Sequence, residues 1–381
     1  MKNKLMLMLA MLLAAVLVLG ACGSSDDDTS GDDNNDQGSE EPAEDEGTED
    51  EGTDEETGSD FSVAMVTDEG GVDDRSFNQS AWEGIQAFGE ENGLERGTGF
   101  DYAQSENAAD FLPNFNSLVN QGYNLIFGVG YQLKNAVTEV AMQNPETHFS
   151  IIDDVVEADN VASVTFAEEE GSFLAGVAAA LKTETNNVGF VGGVTSPLIK
   201  RFESGFVAGV KSVNPEIEVQ IQYAESFSDE GMGRSIANNM YSSGADVIYH
   251  ASGAVGLGVF TEARNRVEND PDSNVWVIGV DRDQYEQGQQ GDRNVTLTSM
   301  VKRVDVAVQE VATRAMNGDF PGGEHLVLGI EDGAISIADT NEEAYTQEIA
   351  DAVAEWQEKL VNGDVDAPGT DEALEEFLDN L

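Results

Sequence analysis

From Phe61 onward the chain alternates short β-rich runs with longer amphipathic stretches, and no other feature restricts its possible folds as strongly. The runs fall at 61–67, 100–103, 124–129, 148–152, 161–166, 188–191, 218–223, 246–250, 275–280 and 295–298. A helical pattern begins near Phe77, with Trp82, Ile85 and Phe88 on one face, and others cover 111–121, 169–182, 202–213 and 235–242. Repeated β–α alternation predicts α/β architecture, with mostly parallel sheets flanked by helices. So many units exceed one comfortable open sheet, which predicts two lobes. In such sheets ligands sit outside the carboxyl ends of the strands, so function is sought in the residues that follow each run.

Those positions are polar. Asp68 and then Asp73-Asp74-Arg75-Ser76-Phe77-Asn78 follow the first run, and Asp153-Asp154 follow the fourth. Glu225-Ser226-Phe227-Ser228-Asp229, Ser252-Gly253-Ala254-Val255-Gly256-Leu257-Gly258, Asp281-Arg282-Asp283-Gln284 and Thr298-Ser299-Met300-Val301-Lys302 occupy the equivalent later places. Asp73 and Asp74 suit a capping role at the first helix. The glycines between 253 and 258 allow a backbone to approach a ligand, but their order and place do not match a dinucleotide fingerprint.

Charge excludes whole classes of partner. Eighteen Lys and Arg stand against 74 Asp and Glu, a formal net charge of −56, so a nucleic-acid polymer is repelled. A folded surface this acidic suits high salt, where screening removes self-repulsion. One cysteine rules out an internal disulfide framework, and three scattered histidines argue against an imidazole metal centre. No metal or cofactor is expected.

The N-terminus reads as an export signal. Lys2 and Lys4 precede an apolar run from Leu5 to Val18, shorter than the ~20 residues of a membrane span. Leu19-Gly20-Ala21-Cys22 resembles a bacterial lipobox, so residues 1–21 are expected to be a lipoprotein signal peptide and Cys22 to carry acyl chains. Residues 23–60 hold 18 acids and no base, and 22–60 is expected to form a lipidated, disordered tether. The mature protein would be anchored to the membrane and face away from the cytoplasm.

Five ordered blocks carry a family resemblance. Gly71-Val72-Asp73-Asp74-Arg75-Ser76-Phe77-Asn78-Gln79 resembles the signature of the basic-membrane-protein (BMP) lipoproteins, nucleoside-binding components of ABC importers. Glu170-Gly171-Ser172-Phe173-Leu174-Ala175-Gly176 is similar to a second block, and Gly192-Gly193 with Pro197, Phe202, Gly205-Phe206 and Gly209 to a third. Gly279-Val280-Asp281-Arg282-Asp283-Gln284 and Thr298-Ser299 with Lys302 complete the set.

The resemblance implies a two-lobed periplasmic-binding-protein-like (type I) fold, each lobe a mostly parallel sheet flanked by helices. The N-terminal lobe is expected over 61–165 and 300–320, and the C-terminal lobe over 166–299 and 321–381. It also implies a site in which Phe77 and Phe227, one from each lobe, clamp a nucleobase. Asp68 would meet the base, Asp153, Asp281 and Lys302 the ribose, Gly256 or Gly258 would offer backbone groups, and Asn78 would be a further ligand-binding residue. The partners implied are a purine nucleoside, an ABC permease and the membrane through Cys22.

No Gly-x-Ser-x-Gly elbow and no P-loop Gly-Lys-Ser/Thr occurs, so catalysis is not expected. The alternatives are a nucleoside hydrolase, in which Asp68, Asp73 and Asp74 would hold calcium, and a sugar-binding or sensory lipoprotein of related fold. In the sugar reading Phe77 and Phe227 would stack on a pyranose face.

Overall fold

The structure, a computed structural model, describes residues 61–381. The expected signal peptide (1–21), Cys22 and the acidic tether (22–60) lie outside the described residues.

The first half runs β1 (Val63–Val66), α1 (Phe77–Glu91), β2 (Phe100–Ala103), α2 (Phe111–Gln121), β3 (Leu125–Val129), α3 (Lys134–Gln143), β4 (His148–Ile152) and β5 (Val161–Phe166). Next come α4 (Glu168–Lys182), β6 (Asn187–Gly192), α5 (Pro197–Val213), β7 (Glu218–Tyr223), α6 (Glu230–Ser242), β8 (Val247–Ala251), α7 (Val255–Asn269) and β9 (Trp276–Asp281). A short hairpin, β10 (Gln289–Gln290) and β11 (Arg293–Asn294), leads to β12 (Thr296–Lys302). The chain closes with α8 (Val304–Met316), β13 (His325–Leu328), β14 (Ile335–Ile337), α9 (Gln347–Val361) and α10 (Asp371–Asp379).

Two six-stranded sheets result, in the orders β13-β5-β4-β3-β1-β2 and β14-β12-β9-β8-β6-β7. All pairs in the first are parallel, and only β12–β14 is antiparallel in the second. Covering helices leave central strands such as β1 (VAMV), β3 and β8 buried along their whole length, which explains their continuous apolar runs. Each sheet changes winding direction next to its first strand, between β1 and β3 and between β6 and β8, where ligand crevices form.

The lobe crossings differ in detail from the expectation. The second crossing follows Lys302, because β12 continues past Ser299 and pairs with both β9 and β14. The third comes after β13: His325–Leu328, expected in the C-terminal lobe, pairs with β5 in the first sheet. Its short His-Leu-Val-Leu sequence at a sheet edge offers no helix or strand period long enough to read. Two helices also start earlier than their apolar periodicity indicates. Ser196 caps α5 by accepting the Ile199 N–H with Pro197 in the first turn, and Asp229 caps α6 by accepting the Met232 N–H.

Candidate functional site

The loops at the carboxyl ends of both sheets line one cavity between the lobes, the place where sheets of this kind hold small molecules. Asp68, Phe77, Asn78 and Asp153 line it from the first lobe, and Phe227, Asp281 and Lys302 from the second. Seven of the nine residues expected at the site therefore share one cavity.

Local structure positions each of them. Asp74 Oδ1 accepts the N–H groups of Ser76 and Gln79, and its Oδ2 accepts the Asn78 N–H, so Asp74 caps α1 as expected. This holds Phe77 and Asn78 at the start of the helix. Asn78 Nδ2 donates to Asp68 Oδ1 at 2.7 Å and to Asp74 Oδ2 at 3.0 Å, and the Gly70 N–H also donates to Asp68. Burial outweighs these hydrogen bonds and pushes the Asp68 carboxyl up to about 7. Both Asp74 oxygens are thus engaged by the helix start.

Lys302, at the end of β12, is 1% exposed. Its ammonium donates to Asp153 Oδ2 at 2.7 Å and lies 3.9 Å from Asp281 Oδ1 and 3.6 Å from Glu168 Oε1. It also lies 4.7 Å from the centre of the Phe77 ring, a cation–π contact. Burial alone would lower its pKa, but the three carboxylates outweigh burial and hold it above the ordinary lysine value. Burial raises Asp153 and takes Asp281 to about 6, despite the opposing pull of Lys302 on both. Asp153 Oδ1 is buried and has no hydrogen-bond partner, leaving an acceptor for a ligand hydroxyl.

The lobes meet around this cavity. Ser76 Oγ donates to Asp281 Oδ2, Gln284 Nε2 to the Arg75 carbonyl at 3.0 Å, and Arg282 to Glu83 at 2.7 Å. The Tyr131 and Phe227 rings meet edge to face at 6.3 Å. These contacts and the Lys302–Asp153 pair make this a closed arrangement.

Gly256 and Gly258 are not among the residues lining the cavity. A Cβ on Gly256 would stand 2.0 Å from the His250 ring, and one on Gly258 would stand 2.0 Å from the Glu230 carbonyl oxygen. They serve the packing of α7 against β8 and α6, and the cavity takes Ser252 and Gly253 from the same loop instead. Sequence reasoning also passed over Tyr131, Leu198 and Ile199, which line the cavity. Tyr131 lies two residues past β3, so the strand-end rule was the signal that could have found it.

A family model described as ABC transporter substrate-binding protein, PnrA-like, matches residues 61–371. A protein of Listeria monocytogenes named CD4+ T-cell-stimulating antigen is 48% identical over 374 residues, covering 96% of this chain and 99% of the relative. The ABC transporter nucleoside-binding protein BmpA of Lactococcus lactis is 46% identical over 318 residues, covering 81% and 90%. Among solved structures, an ABC transporter solute-binding protein from Aeropyrum pernix superposes with a TM-score of 0.73 at 24% identity, covering 84% of this chain and 98% of the other. That likeness shows the expected two-lobed α/β fold.

Proposed function

Because this chain belongs to the PnrA-like, or basic-membrane-protein, family of ABC transporter substrate-binding proteins, we propose that it captures a purine nucleoside and delivers it to an importer. It is a binding component rather than an enzyme, and it works at the membrane outside the cytoplasm. The observation that carries the ligand reading is the composition of the closed cavity. Aromatic rings from both lobes, Phe77 and Phe227, line it together with the Lys302–Asp153–Asp281 cluster. The rings suit the flat faces of a base, while a carboxylate with a free lone pair and an ammonium suit a ribose diol. Asp68, held through its Oδ1 by Asn78 and the Gly70 N–H, turns its other carboxyl oxygen to a base edge. The relative named as nucleoside-binding supports the same ligand class.

Lys302→Ala tests this assignment. Binding of adenosine should weaken far more than binding of adenine, because the ammonium faces the sugar. Equal losses for the two would remove Lys302 from the ribose, and no binding of either by the wild type would overturn the nucleoside reading.

Anchoring through Cys22 is part of the proposal. No helix among the described residues is long and apolar enough to cross a membrane, and two acyl chains on Cys22 would suffice for stable attachment. Cys22→Ser should release the protein from the membrane fraction in a detergent-partition assay; retention would exclude the lipid anchor.

A further inference from the structure

Three buried carboxylates surround the Lys302 ammonium, and the ligand cavity accounts for only two of them. Glu168, the first residue of α4, is 0% exposed and does not line that cavity. It faces a second cleft between the lobes, which shares Tyr131, Asp153 and Leu198 with the ligand cavity. Neither carboxyl oxygen of Glu168 has a hydrogen-bond partner.

The surrounding charges do not neutralise a third carboxylate. Lys302 comes from β12, Asp153 from the end of β4, Arg201 from α5, and Glu169 is the adjoining residue. Across the cleft stand Lys134, Asp154 and His325. Lys134 pairs with Asp154 at 2.8 Å, and His325 Nε2 lies 2.8 Å from Thr165 Oγ1. Arg201 is 3.6 Å from Glu168, but it also lies 3.8 Å from Glu169 and donates to the Phe166 carbonyl. Its positive charge is shared and partly solvated. One ammonium thus stands against Asp153, Asp281 and Glu168 in a closed space, where an unpaired ionised carboxylate is costly. Burial, the largest influence on Glu168, outweighs Lys302 and Arg201 and pushes its carboxyl up to about 8.

We propose that Glu168 is a positioning residue that backs Lys302 as a neutral acid when the lobes close, so that ligand capture takes up a proton. The cavity residues Asp153, Phe227, Asp281 and Lys302 are all buried, so a ligand enters only if the lobes part. Parting them separates Lys302 from Asp153 and wets the cleft, and Glu168 then ionises at an ordinary carboxylate pKa. On closure the neutral acid leaves the Lys302 charge to Asp153 and Asp281, and leaves its remaining N–H groups to the ligand. The closed-state pKa lies above the open-state one. Affinity is therefore greatest at low pH and falls as pH rises toward that closed-state value, about tenfold per pH unit for each proton taken up.

The inference rests on capture between the lobes, not on the identity of the ligand. Calorimetric titration of the full chain with inosine near pH 7, in two buffers of different ionisation enthalpy, counts the protons. The dissociation constant followed from about pH 5.5 to 8.5 gives the slope. Asp68 and Asp281 contribute protons of their own, so the diagnostic is the difference between wild type and Glu168→Gln. The wild type should take up protons, and Glu168→Gln should remove about one of them and flatten the profile by about tenfold per pH unit. Glu168→Ala should weaken binding at pH 6, and Glu168→Gln should restore it.

Binding by the wild type without proton uptake would overturn the proposal whatever the variants do. An unchanged slope in Glu168→Gln would do the same. If inosine does not bind, the nucleoside reading fails, and the same measurements with the ligand that co-purifies decide this one by the same outcomes.

Discussion

Asp153 and Asp281 adopt left-handed backbone conformations, with φ of 71° and 65°, and they are two of only five non-glycine residues to do so among those described. Aspartate tolerates this region better than most residues, but the conformation still costs energy, and such strain gathers at binding sites. Here it turns both carboxylates at the ends of β4 and β9 toward one lysine. Phe77 and Phe227 differ in their surroundings. Phe77 is half-buried, whereas Phe227 is buried and its ring stands 2.2 Å from where a Cβ on Gly193 would lie. Truncating either ring to alanine should cost ~1–3 kcal/mol of binding, or about five- to 150-fold in affinity. The double variant should lose less than the sum, because both rings cover one base. Calorimetry with inosine, expressed per folded molecule, checks this, and full affinity in Phe77→Ala would exclude the clamp. These aromatic and charged positions were legible in the sequence because each follows a strand, and Phe77 and Asp281 fall in a family block as well. Gly256 and Gly258 were misread because a glycine that admits a ligand and one that admits a neighbouring helix look identical in sequence.

At the scale of elements, the second and third family blocks turn out to be packing devices. A Cβ on Gly176 would lie 2.3 Å from the Phe206 carbonyl oxygen, one on Gly205 2.2 Å from that of Glu169, and one on Gly209 1.9 Å from that of Phe173. These glycines bring α4 and α5 into backbone contact, and α4 in turn places Glu168 behind Lys302. Gly209→Ala gains up to ~1 kcal/mol of helix propensity. It must also push two backbones apart, an overpacking cost of typically ~1–3 kcal/mol. The clash should win, since a carbonyl cannot turn aside as a flexible side chain can. A thermal melt should show a lower midpoint, and an unchanged or raised midpoint would mean that the helices separate freely. The alternation of strands and helices was readable from periodicity, whereas β13 and β14 fall outside that alternation, with no helix between them to mark it. Glu168 was missed for a related reason: the helical stretch was read as starting at Glu169, which hid the acid immediately beyond β5.

For the whole molecule, two kinds of acid act on stability. The surface excess repels itself and is screened by salt, with a Debye length of ~10 Å at 0.1 M and ~3 Å at 1 M. The buried acids Asp68, Asp281 and Glu168 have pKa values raised to about 7, 6 and 8 in the closed protein. Each folded value stands above its unfolded value. Their contribution is therefore fully present at acid pH below the unfolded values and is lost as pH rises through about 6 to 8. Raising salt to ~1 M should lift the melting temperature at neutral pH, while a fall in stability from pH 5 to 8 should persist in that salt. A melting temperature indifferent to salt would argue against surface repulsion, and a pH dependence abolished by salt would argue against the buried acids.

The account centres on one claim, that the two lobes close over a nucleoside. Native mass spectrometry of the purified protein, as isolated and after addition of inosine or adenosine, tests it most directly. The account predicts a one-to-one complex that releases an intact nucleoside on denaturation. Recovery of a hexose or peptide, with no adduct formed by either nucleoside, would contradict it.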